Sequence, residues 1–528
     1  MDLIRIKTKF SPVKIKTTLF LVGTLNLIGY WTIAFLGDLR QHLPLFFTVY
    51  ALLSVLFLSS VFSIRKIQPA SATASAKQAA RDNLQIVVLI LAFAVVSRFV
   101  LLPNFPWLTD DIFRYIWDGR VWNSGINPFE YAPADPALLH LRDAAIYSHV
   151  NHPAIPTIYA PVLQLLFRFT AALAETIFAF KMMVLLFEFA TLGLLLVLLK
   201  LWQRPLSWIL IYAWNPLVII ETAGSGHLDG IGMFFLLLAF LFLSVHPAVA
   251  RKPLKSGMRF LQIFQENGKA PMYGVEAGWG KWEIGASITL GLAVLVKFIP
   301  VLILPFLLLH KSRKRQLVMI SFFLLTIFIG YLPFLSAGSK LFAATVNYAA
   351  KWRFNDSLFF ILYKILDFIV PAQVEKSLME LLHLLPTAEK LITFRMDLLL
   401  YAGKLILAWF FLFSLWKLFR SRRSLSPMSA EQIAQCWIVL FGLLCLITPT
   451  LHPWYILWLL PLTVFYRENS LLVLSCTIIW SYEIVGRYAE TGIWQENPLI
   501  KLAVFAPFYG VLFMEGKYRD KIYPDSKS

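Results

Sequence analysis

The chain has 528 residues, 59% of them hydrophobic and only 15% charged, with a mean hydropathy of +0.69 and a net charge of +18. A soluble domain carries about 25% charged and about 45–50% apolar residues, so this composition excludes an ordinary soluble enzyme, a disordered chain and a fibrous repeat. It describes a multi-pass membrane protein whose three cysteines, Cys436, Cys445 and Cys476, all sit in apolar runs, leaving no disulfide framework or zinc site.

A helix needs about 20 apolar residues to cross a hydrocarbon core of ~30 Å. Runs at 17–36, 44–63 and 84–102 come first. The first is long and lacks a small-residue cleavage site, which marks a retained helix rather than a signal peptide. Arg5, Lys7, Lys9, Lys14 and Lys16 precede it, and Arg65, Lys66, Lys77 and Arg81 follow the second run. Cytoplasmic loops hold the excess of Lys and Arg. The N-terminus is therefore expected inside, and the segment at 104–178 outside as the first extracytoplasmic loop, with 158–173 lying along the surface.

Runs at 179–199, 206–222 and 230–245 lead to a basic linker, 246–283, expected in the cytoplasm and too short for a catalytic domain. The run at 285–309 has basic sequence at both ends, with Lys297 and Pro300 in its middle. Two short helices turning near the outer side reconcile these features, because proline interrupts the helical hydrogen-bond ladder. Runs at 316–335, 397–419, 433–449, 453–466, 470–486 and 499–514 complete the chain, with a second long outer loop at 336–396.

The whole reads as one all-α membrane domain with about 12–14 transmembrane helices. Both termini are expected in the cytoplasm, and the first outer loop is expected to be ordered with short surface helices. Most of the positive charge is then topological, and no nucleic-acid partner is needed. No internal repeat is visible, which disfavours the common transporter architectures.

On this topology the polar motifs share the outer face. Thr109 would cap a helix, with Asp110 and Asp111 in its first turn. Arg114 and Tyr115 follow Asp111 by three and four residues and share its face, which Asp118 continues. These acids can serve as caps and dipole partners. They can equally supply a general base at the membrane surface, the group a sugar hydroxyl needs as it attacks an anomeric carbon. His152-Pro153 and Thr157-Ile-Tyr159 lie in the same loop. Glycines at 224, 226 and 230 flank His227 and Asp229, and ionisable residues at membrane depth mark functional sites by default. Lys297 sits where it can meet a lipid phosphate, and His452 opens a His-Pro-Trp-Tyr segment. No phosphate-binding P-loop or dinucleotide fingerprint is present, so an enzyme built this way must receive its substrate on a lipid.

The stretches Asp110-Asp-Ile-Phe-Arg-Tyr-Ile-Trp-Asp-Gly-Arg, Gly125-Ile-Asn-Pro-Phe-Glu-Tyr-Ala-Pro and Asn151-His-Pro…Thr157-Ile-Tyr-Ala-Pro resemble the first outer loop of bacterial GT-C glycosyltransferases. The closest likeness is to the polyprenyl-phosphate-mannose-dependent mannosyltransferases of lipoglycan synthesis. Trp214-Asn-Pro…Gly224-Ser-Gly-His-Leu-Asp-Gly230, the Lys297 hairpin and Thr450…His-Pro-Trp-Tyr455 look like further pieces of that pattern.

The resemblance implies a GT-C fold in a bacterial plasma membrane with an extracytoplasmic site. It also implies a polyprenyl-phosphate sugar donor, a glycan or lipid acceptor and an inverting displacement. The base maps onto Asp111 or Asp110. The substrate-binding set is Arg114, Tyr115, Asp118, His152, Tyr159, His227, Asp229, Lys297 and His452, with Arg114 and Lys297 proposed for the donor phosphate. No separated Asp-X-Asp occurs at 109–120, so neither a divalent metal nor another cofactor is expected. The competing class is a transporter or flippase of a lipid-linked glycan, which would want intramembrane charge along a path gated on both sides.

Overall fold

The computed structural model describes residues 12–65, 76–245, 280–381, 388–423 and 427–522. Arg5, Lys7, Lys9, Lys66 and nearly all of the 246–283 linker lie outside the described residues. Helices α1 (Pro12–Phe35), α2 (Leu43–Arg65) and α3 (Ala76–Leu101) form the first three crossings. Two short helices follow, α4 (Asp111–Asn123) and α5 (Pro161–Leu173), before α6 (Ile177–Leu201). The chain between α3 and α6 stays at one end of the bundle. Asn104 Nδ2 donates to the carbonyl of Ala34 at the end of α1, and Arg120 bonds Glu175 beside the start of α6.

The apolar run after α6 is broken. Leu206–Ala213 (α7) and Pro216–Gly224 (α8) meet at an angle of 59°. Asn215-Pro216 is the cause: proline cannot continue the ladder, and Asn215 Oδ1 accepts the Leu217 amide to start a new helix. The last turn of α8, Ile220–Gly224, is a π-helix, a form found mostly as single turns at functional sites. Helix α9 (Asp229–Ser244) returns from the break.

The expected hairpin is present as α10 (Lys281–Val294) and α11 (Ile299–Leu308). Lys311 Nζ donates to Glu283 at 2.6 Å, so both feet of the hairpin share one end and Lys297 occupies the far turn. Helix α12 (Arg313–Tyr331) follows. Then come α13 (Ala343–Lys351), α14 (Leu358–Ile369) and α15 (Ala372–Leu381), and the long α16 (Ala388–Arg423). Helix α17 (Ala430–Ile447) precedes two 3₁₀ segments, Pro453–Trp458 and Leu460–Val464, and α18 (Asn469–Thr491) and α19 (Pro498–Ile522) close the described chain. The residues described contain no strand; Phe354 and Thr450 form one parallel bridge.

Among the described residues nine helices are long and apolar enough to cross a membrane, or ten with the broken α7–α8 pair. This is below the 12–14 expected from apolar runs. The difference lies in α9, α10, α11 and the 3₁₀ stretch at 453–464, whose apolar sequence is folded into shorter pieces. The 3₁₀ stretch runs from the polar end at His452 to Tyr466 at the other, where Tyr466 bonds Glu431. Its rise of about 2.0 Å per residue lets it cover that distance. Non-α backbone at membrane depth is tolerated where protein covers it, and Trp458, Leu459, Leu460, Leu462 and Val464 are all fully buried.

Buried polar contacts fix the framework. Arg98 on α3 pairs with Glu188 on α6 and donates to the carbonyls of Ala94 and Ala213, while Thr222 of the π-turn donates to Glu188 at 2.9 Å. A buried pair satisfied on every side is costly to break from one side. The opposite end of the bundle gathers Arg65, Arg204, Lys311 and Arg315 around Glu283, Glu431 and Asn469, with the Arg422 carbonyl beside His310.

Gly232 on α9 admits the indole of Trp458 where a β-carbon would approach it to 2.1 Å. Gly232→Ala is expected to overpack this contact at a cost of about 1–3 kcal/mol. A lowered melting temperature of the detergent-solubilised protein checks it.

Candidate active site

The acidic motif begins one residue later than its sequence pattern suggests. Helix α4 starts at Asp111, with Asp110 in the capping position, and Thr109 Oγ1 accepts the Asp111 amide at 3.2 Å. The two acids differ in surroundings. Asp110 is solvent-accessible beside Arg40, whose guanidinium is shared with Asp38 at 2.8 Å and lies over Trp107. Partial desolvation raises the Asp110 pKa, against the pull of Arg40 and with the push of Asp111. Asp111 is largely covered and turned inward. Its Oδ1 accepts from Asn151 Nδ2 at 2.7 Å, and its Oδ2 lies 4.0 Å from His227 Nε2.

His227 is itself held from behind. Gly226 takes a φ of +78°, and a side chain there would press on Ile112 and Lys181. This turn drives the imidazole into the protein, where Nδ1 meets Glu221 Oε2 at 2.6 Å. Glu221 is fully buried in the π-turn and accepts Tyr482 Oη at 3.0 and 3.1 Å on its two oxygens. The His227 ring stacks on Trp454 at 3.9 Å, Trp454 on His452 at 4.3 Å, and His452 on Phe354 at 4.7 Å.

An ion pair flanks this contact. Asp229, at the start of α9, binds Lys297 Nζ at 2.8 Å and accepts Trp458 Nε1 at 2.6 Å. Lys297 also lies 3.6 Å above the Tyr455 ring, and Tyr455 bonds Tyr348 through their hydroxyls at 2.6 Å. Desolvation, then the electrostatic influence of Lys297 and His227, pushes His452 well below the usual histidine range. Packing of His452 against Tyr455, with ring centroids 5.3 Å apart, joins the two groups, so Asp111, His227, Asp229, Lys297, Tyr455 and His452 form one cluster.

Other expected residues lie elsewhere. Arg114, proposed from sequence for a phosphate, is buried: its Nε donates to Asp118 at 2.9 Å and its Nη2 to the Ile155 carbonyl at 3.0 Å. Asp118 also accepts from Thr157 and, at 3.1 Å, from Gln164. This knot shapes the loop and presents no free cation. Tyr115 packs edge-on to Tyr159 at 5.0 Å and flat on Phe167 at 5.1 Å, and burial keeps both tyrosines protonated. His152 is exposed at φ +46°, against Trp352.

Sequence reasoning missed Glu221, Asn151 and Tyr482 as site residues. Glu221 carried a signal, an acid inside an apolar run, and Asn151 opens the Asn-His-Pro motif, but Tyr482 carried none. The segment holding His452 is itself locked: Phe354 exchanges backbone bonds with Pro449 and Leu451, and buried Asp356 pairs with Lys501 and Arg353. Among the described residues no three His, Cys, Asp or Glu side chains converge as a metal-binding set.

Residues 20–313 match the family described as alpha-(1->6)-mannopyranosyltransferase, N-terminal domain. The match covers more than half of the chain, and the chain belongs to this family of GT-C-type mannosyltransferases. It is a multi-pass membrane mannosyltransferase. No curated protein and no solved structure matches it. The matched stretch carries Asp110, Asp111, Glu221, His227, Asp229 and Lys297, whereas His452, Trp454 and Tyr482 come from beyond it.

Arg114→Met leaves Asp118 buried without its cation and is expected to cost about 3–5 kcal/mol. Arg114→Met/Asp118→Leu, which removes both charges, should recover most of that loss. Thermal unfolding of the two variants in detergent checks the structural assignment.

Proposed function

We propose that this mannosyltransferase moves mannose from a polyprenyl-phosphate donor to a glycan or lipid acceptor on the extracytoplasmic face, with Asp111 as the general base. The observation that carries this reading is the setting of Asp111. It is the one acid of the pair turned into the polar space, with Oδ1 held by Asn151 and Oδ2 left for a proton. Asp110, beside Arg40 at the surface, tunes the helix start instead.

In this reading the acceptor hydroxyl gives its proton to Asp111 as its oxygen attacks the anomeric carbon. The bond to the donor phosphate breaks on the opposite face, inverting the centre. Lys297 steadies the departing phosphate by a charge-assisted contact. It can do so without being stripped of partners, because Asp229 and the Tyr455 ring already fix its position. Its cation supplies the charge stabilisation, and the reading needs no metal.

Two features support the lipid-linked donor and its sidedness. Arg65, Arg204, Lys311, Arg315 and Arg422 gather at the end away from Asp111, which supports a cytoplasmic position for that end. An apolar groove of about 470 Å³ runs along α2, lined by Pro44, Phe47, Thr48, Ala51, Leu52, Val55 and Trp480. It begins at the polar end, and Trp480 stands two residues before Tyr482, the partner of Glu221. A polyprenyl chain laid there would carry its phosphate toward the site.

Label transfer from polyprenyl-phosphate-mannose in membranes tests the base. Asp111→Asn keeps shape and removes basicity, so kcat should fall roughly 10²–10⁴-fold. Asp110→Asn should stay within about tenfold of wild type, and Lys297→Ala should raise the donor KM. Unchanged turnover by Asp111→Asn would remove it as the base. Ala51→Trp fills the groove and should raise the KM for a long-chain donor while leaving a short-chain analogue unaffected.

A further inference from the structure

The least explained group at the site is the Nε2 atom of His227. It is buried and has no hydrogen-bond partner, although buried polar atoms are almost always paired. The other ring nitrogen fixes its chemistry. Nδ1 faces the Glu221 carboxylate at 2.6 Å, and that carboxylate already accepts the Tyr482 hydroxyl. A carboxylate only accepts, so Nδ1 carries a hydrogen toward Glu221, and in the neutral ring this leaves the lone pair on Nε2. The ring cannot turn away, because Trp454 covers one face at 3.9 Å and 15°. Nε2 lies 4.0 Å from Asp111 Oδ2, while the other Asp111 oxygen is engaged by Asn151.

We propose that Glu221 and His227 form a proton relay behind Asp111, with Glu221 setting the tautomer and His227 Nε2 receiving the proton that Asp111 takes from the acceptor hydroxyl. The proposal rests on Asp111 being the base. In the transfer step, the hydroxyl proton goes to Asp111 while the new glycosidic bond forms and the phosphate leaves with the old bond's electron pair. The Asp111 carboxylic acid then gives its proton to Nε2. This restores the carboxylate and makes an imidazolium paired with Glu221, which loses the proton to water as products leave.

The titratable and charged groups around His227 are consistent with this traffic. Glu221 lies on its own segment, Asp111 on α4 and Tyr482 on α18. His452 lies beyond Trp454, under the influence of both His227 and Lys297. His452 stays neutral in this field and so does not compete for the proton.

Glu221 is a positioning residue, and its test must separate relay from mere packing. In Glu221→Gln the amide can donate to Nδ1 and so select the wrong tautomer, as happens when the orienting acid of a catalytic triad becomes an amide. At pH 7 kcat should fall roughly 10²-fold, with donor and acceptor KM within about threefold of wild type. The deficit should shrink as pH rises from about 6 to 9, because hydroxide replaces the missing proton acceptor. Activity of His227→Ala should climb with added imidazole in proportion to its free base.

A kcat within twofold of wild type in Glu221→Gln overturns the relay. So does a deficit that is equal at every pH and unmoved by imidazole in His227→Ala. Wild-type turnover by Asp111→Asn would overturn the base assignment itself, whatever the other two variants do.

Discussion

A carboxylate removed from water at the end of a membrane helix must be paired and hydrogen-bonded, or it does not remain charged. Glu221 meets that requirement with His227 from its own chain segment and Tyr482 from far along the sequence. The candidate site depends on this contact. It sets the imidazole, the imidazole closes the inner side of Asp111, and the stack of His227, Trp454, His452 and Phe354 carries the same order outward. The second pair, Asp229 with Lys297, obeys the same rule with Trp458 and Tyr455 as its neighbours.

Irregular backbone makes these pairings reachable. A straight helix through 206–224 would carry Glu221 on a regular surface. The break at Asn215-Pro216 and the π-turn instead deliver it inside the protein. The Lys297 turn does the same for its ammonium, and the 3₁₀ segment from Pro453 supplies Trp454, Tyr455 and Trp458 within six residues. The π-turn and the 3₁₀ segment from Pro453 lie largely against other protein rather than lipid, where every backbone group would need an internal partner.

Much of the architecture was legible in the sequence because membrane crossing imposes length and hydropathy directly. The first three helices, α6 and the Lys297 hairpin follow from apolar runs and one awkward pair of basic flanks. Not every expected segment is one long helix, since a run such as 453–466 has the composition of a span but contains Pro453 and Pro461, which shorten its elements. At the site, Asp111, His227, Asp229 and Lys297 stood out as ionisable residues beside glycines or within apolar sequence. For Arg114, the spacing from Asp118 gives a helix-face pair without revealing that the pair is buried. The contacts of Asn151 and Tyr482 were illegible for a different reason. Ordinary polar residues acquire meaning here only through contacts 40 and 261 residues away in sequence.

The central claim is that mannosyl transfer takes place at the polar end of the bundle, on the Asp111 carboxylate. The most direct test is a cryo-electron microscopy structure with a non-hydrolysable polyprenyl-phosphate-mannose analogue and an acceptor. The account predicts an acceptor hydroxyl within hydrogen-bond reach of Asp111, about 2.6–3.2 Å, with the donor phosphate beside Lys297. A sugar seated at the basic end among Arg65, Arg204 and Lys311, or one whose nearest acid is not Asp111, would contradict it.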